Sequence, residues 1–147
     1  MEEQKDSFNL QRFVDAQNNC DMWSIAMQEL QRGRKETHWI WFVFPQLKGL
    51  GHSYYSMFYG ISGLEEAKAY LEHDVLSSRL HAFCEELVNA QTKSDLVDVL
   101  GHIDYIKVRS CLTLFDAASS DDFFGNVLDT CYGGKRDFKT LGLLGIK

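Results

Sequence analysis

The sequence predicts a mainly α fold, a single compact multi-helix domain with a short buried aromatic segment at its centre. Three observations carry that expectation. A chain of 147 residues suits one domain and can bury about two thirds of the surface its unfolded form exposes. It holds one proline, which suggests helices joined by short links rather than long irregular loops. One capped apolar period follows another along the chain, and no convincing hairpin signal interrupts them.

Residues 1–8 read as a loosely ordered N-terminal segment. Asn9 is placed to cap a helix over Leu10 to Asn18, with Leu10, Phe13, Val14 and Gln17 along one face, and Asn18-Asn19 breaks it. Asp21 is placed to cap a second helix. On it Trp23, Ala26, Met27 and Leu30 recur at i, i+3, i+4 and i+7, and Gly33 supplies the stop.

The stretch from Gly33 to Gly60 follows, GRKETHWIWFVFPQLKGLGHSYYSMFYG, with polar residues crowding an aromatic centre. Residues 39–44, WIWFVF, are apolar on every face. Their composition suits a strand. Their position suits a helix, with Thr37 as N-cap and Pro45 limiting it to about two turns. The expectation is a short buried helix, then a loop over QLKGLGHS and a short helical or irregular piece over YYSMFYG.

Ser62-Gly63-Leu64-Glu65 has the form of a capping box and opens a helix to about His73, with Leu64, Ala67 and Leu71 inward. Asp74 is placed to cap the clearest amphipathic helix, Val75 to Ala90, striped by Leu76, Leu80, Phe83, Cys84, Leu87 and Val88. Arg79 shares that face, where an Arg extends its stem or meets a carboxylate. Gln91 to Lys93 turn, and Ser94 caps a short helix to Leu100 that Gly101 closes. Asp104 is placed to cap Tyr105 to Ala118, with Val108, Cys111, Leu112 and Phe115 inside. Ser120 or Asp121 begins a helix with Phe124, Val127, Leu128 and Cys131 inside, ended by Gly133-Gly134. Asp137 caps a last short turn over Thr140 to Leu144.

The formal net charge of -6 disfavours binding to nucleic acid or to an anionic membrane surface. No apolar run reaches the roughly 18 residues of a membrane span. The polar start MEEQKDSFN lacks the regions of a signal peptide, so a cytoplasmic location is expected. Cys20, Cys84, Cys111 and Cys131 contain no Cys-x-x-Cys pair and read as buried free thiols of a reducing compartment rather than disulfides, with little support for a zinc site in such scattered positions. No motif calls for a metal or a cofactor, and nothing fixes the oligomeric state.

RFVDAQ at 12–17, GRKETHWIWFVFPQLKGLGHS at 33–53, EEAKAYLEH at 65–73, KVRSCLTLF at 107–115 and GGKRDFKTLGLL at 133–144 together resemble a bacterial family labelled domain of unknown function 1810. The match runs in order over nearly the whole chain, and HWIWFVFPQLKGLG is its most specific part. Asp74 stands where the family usually has Pro. The resemblance implies a compact, mainly helical fold and no established reaction.

Candidate chemistry gathers around the central stretch. Lys35 and His38 share a face on a helical reading, which makes an anion clamp of a point charge and a switchable donor. Amide groups near Thr37 would add the field of a helix start. Trp39 and Trp41 offer ring faces to a base or sugar, or fill the core. Gln46, Gly49, Gly51, His52 and Ser53 form a loop whose glycines allow close backbone approach to a ligand, or an ordinary turn. Lys107, Ser110 and Thr113 recur as a polar stripe that reads as a solvated face. Gly133 to Asp137 reads as a helix stop with solvated charges and lacks the spacing of a phosphate loop.

Two functions follow as expectations. One is binding or processing of a phosphate-bearing small molecule, a nucleotide or an ADP-ribose-like compound, at Lys35, His38, Trp39, Gln46, Gly49, Gly51, Ser53 and Lys107. A fold-level analogy supports it: the layout is similar to the ADP-ribose-processing family typified by bacterial swarming and riboflavin-associated proteins. The alternative is a non-enzymatic interaction module with a buried aromatic core, marked by an exposed apolar patch between Trp39 and Tyr59. If Lys35 is an anion ligand, Lys35→Ala should leave folding nearly unchanged, whereas Trp39→Ala should not.

Overall fold

A computed structural model describes residues 6–146. Their regular structure is helical, and no strand forms among them beyond an isolated parallel bridge between Leu47 and Ile61. The order is α1 (Gln11–Asn18), α2 (Met22–Arg32), α3 (Ile40–Val43), α4 (Tyr54–Phe58), α5 (Leu64–Glu72), α6 (Asp74–Gln91), α7 (Leu96–Leu100), α8 (His102–Ala118), α9 (Phe123–Tyr132) and α10 (Phe138–Leu144). No helix is long and apolar enough to cross a membrane among the described residues.

The fold is laid around α8. Residues Ser110 to Phe115 are buried without interruption, as expected of a helix covered on all sides. α8 packs on α5, α7, α9 and α10. α6 forms the second axis, with Leu76, Leu80, Phe83, Cys84 and Leu87 all buried against α2, α5 and α9. Trp39, Phe44, Tyr70, Phe83, Phe115 and Phe124 are its largest buried rings, and edge-to-face and tilted contacts link them in a chain from Phe13 through Tyr70 and Phe115 to Phe124. All four cysteines are free, three buried and Cys20 exposed.

The apolar periods locate the helices, but several caps differ from the sequence expectation. Asn9 does not cap α1. It adopts φ 54°, and the Asp6 carboxylate instead accepts from the N–H groups of Leu10 at 2.6 Å and Gln11 at 2.8 Å. Asp6 belongs to the segment read as loose, of which residues 1–5 lie outside the described residues. Asp21 is itself left-handed, at φ 53°, and makes no cap bond. His73, not Asp74, caps α6 through Nδ1, which accepts from Leu76 N–H at 3.2 Å. Gln91 reaches forward to Leu96 N–H in place of Ser94. α8 starts at His102, after Gly101 at φ 85°, which leaves Asp104 free for another partner. Asp6, His73 and Gln91 thus supply their caps from within five residues, and only Asp104 is taken by a distant partner.

Ser62 and Glu65 do not form the reciprocal box. Glu66 takes that place, accepting from Ser62 N–H at 2.9 Å and Ser62 Oγ–H at 2.8 Å. Its other oxygen meets Arg12 at 2.8 Å, in a pair only 9% and 3% exposed. Arg12 also donates to the carbonyls of Phe58 and Gly60 and so ties α1 to the end of the central stretch. Trp23 leaves the apolar face of α2 and is 37% exposed. The Arg79 guanidinium lies 4.9 Å from its ring centre and donates to Gln17 Oε1, so Arg79 meets an amide and a ring rather than a carboxylate.

The WIWFVF segment is helical, but only for the single turn of α3, and Trp39 rather than Thr37 sits at its N-cap position. Four expected features do hold. Gly33 ends α2 at φ 80°, Gly133 ends α9 at φ 60°, and Asp137 caps α10 through Thr140 N–H. α4 forms over residues 54–58, with Ser53 accepting from Ser56 N–H.

Candidate functional site

The loop between α2 and α3 is built on a buried carboxylate. Glu29 is 1% exposed. Its Oε1 accepts from Glu36 N–H at 2.8 Å, Thr37 N–H at 3.0 Å and Trp39 Nε1–H at 2.9 Å, and its Oε2 from Thr37 Oγ1–H at 2.7 Å. Burial opposes the charge, but the bonds from Thr37, Glu36 and Trp39 prevail and hold the pKa down to about 2. The amides expected to greet a phosphate near Thr37 are therefore already given to Glu29. α3 is also too short to add a useful helix field.

Lys35 fastens the same loop to α7 and α8. Its N–H donates to Val99 O at 2.8 Å, and its Nζ donates to Thr37 O at 2.6 Å and pairs with Asp104 Oδ2 at 2.8 Å. The ammonium also stands 4.8 Å from the Trp39 ring centre, and the side chain is only 6% exposed. The premise of a freely removable Lys35 does not hold, because this lysine is a structural ion-pair partner. Trp39 is fully buried and belongs to the core.

His38 is the exception in this loop. The residues on both sides of it are bonded inward, and it stands exposed with no protein hydrogen bond among the described residues. It opens on a cleft of about 470 Å³ between α3 and the head of α8, lined also by Lys35, Trp41, His102, Asp104 and Lys107. Lys107 stands 5.5 Å from the Trp41 ring centre, and among the described residues no carboxylate lies within 4 Å of its ammonium. Trp41 meets Tyr55 of α4 at 5.0 Å. Three of the residues singled out by sequence, Lys35, His38 and Lys107, thus share one concave surface.

Gln46, Gly49, Gly51 and Ser53 do not line it. A Cβ on Gly51 would lie 2.6 Å from Ser56 Oγ, so this glycine accommodates α4, not a ligand. Ser53 is the cap of α4. Gln46 O accepts from Ile61 N–H and holds the loop to the start of α5. Gly49 is exposed at φ 106°.

The stripe on α8 also divides. Lys107 faces the cleft, but Ser110 and Thr113 are buried rather than solvated. Ser110 Oγ–H donates to Asp137 Oδ2 at 2.8 Å, and Thr113 Oγ1 accepts from Asp137 N–H at 3.0 Å, which docks α10. Arg136 of the Gly133–Asp137 turn pairs with Asp116 and Asp129.

Trp41, weighed from sequence as a ring face for a base or sugar, also lines the cleft, while His102 and Asp104 complete it and were not in the site expected from sequence. His102 follows the helix stop Gly101, and a histidine at a helix head beside a glycine was the available signal. Asp104 was assigned to capping, because no sequence rule pairs it with Lys35 across 69 residues. Among the described residues no group of three His, Cys, Asp or Glu could hold a metal ion.

No curated protein matches the chain. The crystal structure of a conserved hypothetical protein from Mycobacterium tuberculosis matches with a TM-score of 0.90 at 43% identity, over 97% of this chain and 100% of that one. The sequence pattern of a family described as protein of unknown function (DUF1810) matches residues 7–144. The chain, from the Asp6 cap region to the end of α10, therefore belongs to that family.

Proposed function

We propose that this protein binds or processes a phosphate-bearing small molecule, a nucleotide or an ADP-ribose-like compound, in the cleft between α3 and α8, and that it does so in the cytoplasm. The observation that carries this is Lys107: a cation with no carboxylate within 4 Å among the described residues, held over an indole ring in a concave site of an acidic protein. Phosphate seeks such a charge, and a base or ribose beside it would meet Trp41. The cleft, at about 470 Å³, lies within the 300–1,000 Å³ usual for small-molecule sites. Lys35 is neutralised by Asp104, so Lys107 supplies the net charge.

Calorimetric titration with AMP and with ADP-ribose tests this. Saturable binding is expected, weakened at least about tenfold by Lys107→Ala, since a hydrogen bond to a charged group is worth about 1.5–3 kcal/mol. Absence of heat and of any thermal shift at millimolar AMP, ADP-ribose and phosphate would refute it.

A second function, an interaction module, is favoured by α4. Its aromatic residues face outward, with Tyr54 73%, Tyr55 51%, Met57 54% and Phe58 42% exposed, while Ser56 is the buried one. Sedimentation across a concentration series, for wild type and for Tyr54→Ser with Phe58→Ser, would reveal whether this face associates. A monomer at all concentrations would remove self-association.

A further inference from the structure

The cleft presents two imidazoles on two elements that are clasped together. His38 lies three residues after Lys35 and His102 two residues before Asp104, and the 2.8 Å Lys35–Asp104 pair fixes those segments to each other. The Lys35 N–H bond to Val99 O adds a second tie to the chain leading into α8. Glu29 immobilises the residues flanking His38. Both histidines are exposed, both line the same cleft, and among the described residues neither imidazole has a protein hydrogen bond. The loop is thus held by a buried carboxylate and a buried ammonium, and it presents His38 to a cleft that His102 also lines.

From this geometry we infer that His38 and His102 act as a general acid and general base in the hydrolysis of a phosphodiester whose phosphoryl oxygens rest on Lys107. The inference rests on the phosphate-binding function proposed above. Imidazole is the side chain that gives and takes a proton near neutrality, so a pair across one site can serve both ends of a displacement. One neutral imidazole removes a proton from water as the water oxygen forms a bond to phosphorus. The phosphorus–oxygen ester bond breaks, and the other imidazole, protonated, gives its proton to the departing alkoxide. One water is consumed, no electron is transferred between reagents, and the two imidazoles exchange protonation states, which solvent resets. Lys35, Asp104 and Lys107 are the charged groups facing the pair. Lys107 offsets charge on the phosphoryl oxygens.

The test uses the full chain with adenosine 2′,3′-cyclic phosphate, following its opening to adenosine monophosphate by chromatography, and AMP binding by calorimetry on the same preparations. Wild type is expected to open the ring with a bell-shaped pH dependence of kcat/KM. His38→Asn and His102→Asn should each lower kcat at least about a hundredfold, with AMP affinity and melting temperature preserved because both residues are exposed. His81→Asn, on α6, should match wild type. AMP binding without ring opening would overturn this inference and leave the binding function standing. Absence of both ring opening and AMP binding would overturn this inference, and absence of ADP-ribose and phosphate binding as well would overturn the binding function with it. Ring opening that survives both histidine substitutions would overturn the acid–base assignment.

Discussion

Replacing Glu29 tests whether the loop that carries His38 depends on one buried carboxylate. Its pKa falls from 4.5 to about 2 on folding, a shift worth about 3 kcal/mol. Because the folded-state pKa is depressed, that stability is present above the unfolded value near 4.5. It is lost as pH falls through the folded value near 2. Glu29→Gln is close to the protonated side chain in shape. Its carbonyl can still accept from Glu36, Thr37 and Trp39, and its amide can donate to Thr37 Oγ1, so only the charge is removed. The expected loss is therefore about 3 kcal/mol at pH 7, with less than half of it remaining at pH 3. Glu29→Ala is expected to cost more, about 4–5 kcal/mol, because Trp39 Nε1–H is then left buried without a partner. Urea titrations followed by tryptophan fluorescence, at pH 7 and pH 3, measure both. A Glu29→Gln variant as stable as wild type at pH 7, or one whose deficit is the same at both pH values, would refute the reasoning.

Further outcomes are expected. Asp104→Ala strands an ammonium that is 6% exposed and should cost about 3–5 kcal/mol in denaturant titration, whereas Lys35→Ala leaves a carboxylate that water can reach and should cost about 2 kcal/mol. Asp137→Ala removes the acceptor of Ser110 and Thr140 and should cost about 1–3 kcal/mol, with limited proteolysis cutting within α10 first. Gly60→Ala places a Cβ 2.8 Å from Lys48 Cα and from Ser56 O, and melting temperature should report about 1–3 kcal/mol of overpacking. Gly51→Ala should be partly relieved by Ser56→Gly, because its clash is with that side chain, and Gly60→Ala should not. Native protein should react with one equivalent of a thiol reagent, at Cys20. Burial removes Cys84, Cys111 and Cys131 from solvent and pushes their thiols up.

What the sequence made legible was whatever repeats. The stripes of α6, α8 and α9 were readable because Leu76 to Leu87, Val108 to Phe115 and Phe124 to Cys131 recur with the helical period, and every one of those expected core residues but Val88 is fully buried. Polar residues carry no such period. Asp104 satisfies a local capping rule and also a distant lysine, and only the assembled fold decides between them. The same holds for Ser110 and Thr113, whose spacing suits a wet face until Asp137 arrives from α10. Lys35 and His38 were found because they flank the aromatic run of the central stretch, and Lys107 because it begins the polar stripe of α8. Trp39 and Trp41, two residues apart and alike in composition, fell on opposite sides of a boundary that a one-turn helix cannot announce in its sequence.

The distribution of buried charge separates scaffold from site. A buried charge, even when paired, is often no more stabilising than apolar residues of the same volume, so stability alone does not explain why the α2–α3 loop is anchored on Glu29 of α2 and, through Lys35, on Asp104 of α8. Apolar side chains at those positions would pack, but they would fix neither the Glu36 and Thr37 amides nor the register between the loop and α8. Directional bonds do both. Glu29 fixes the Glu36 and Thr37 amides before His38 and the Trp39 indole after it, and Lys35 sets the loop against Asp104, two residues from His102. Preorganisation of this kind matters where a side chain must hold its place without contacts of its own. In this loop His38 is such a side chain, and across the clasp His102 is another. Both lysines stand over an indole ring, but Lys35 pairs with Asp104, whereas among the described residues Lys107 has no carboxylate within 4 Å. One lysine holds the cleft together, and the other remains free to bind within it.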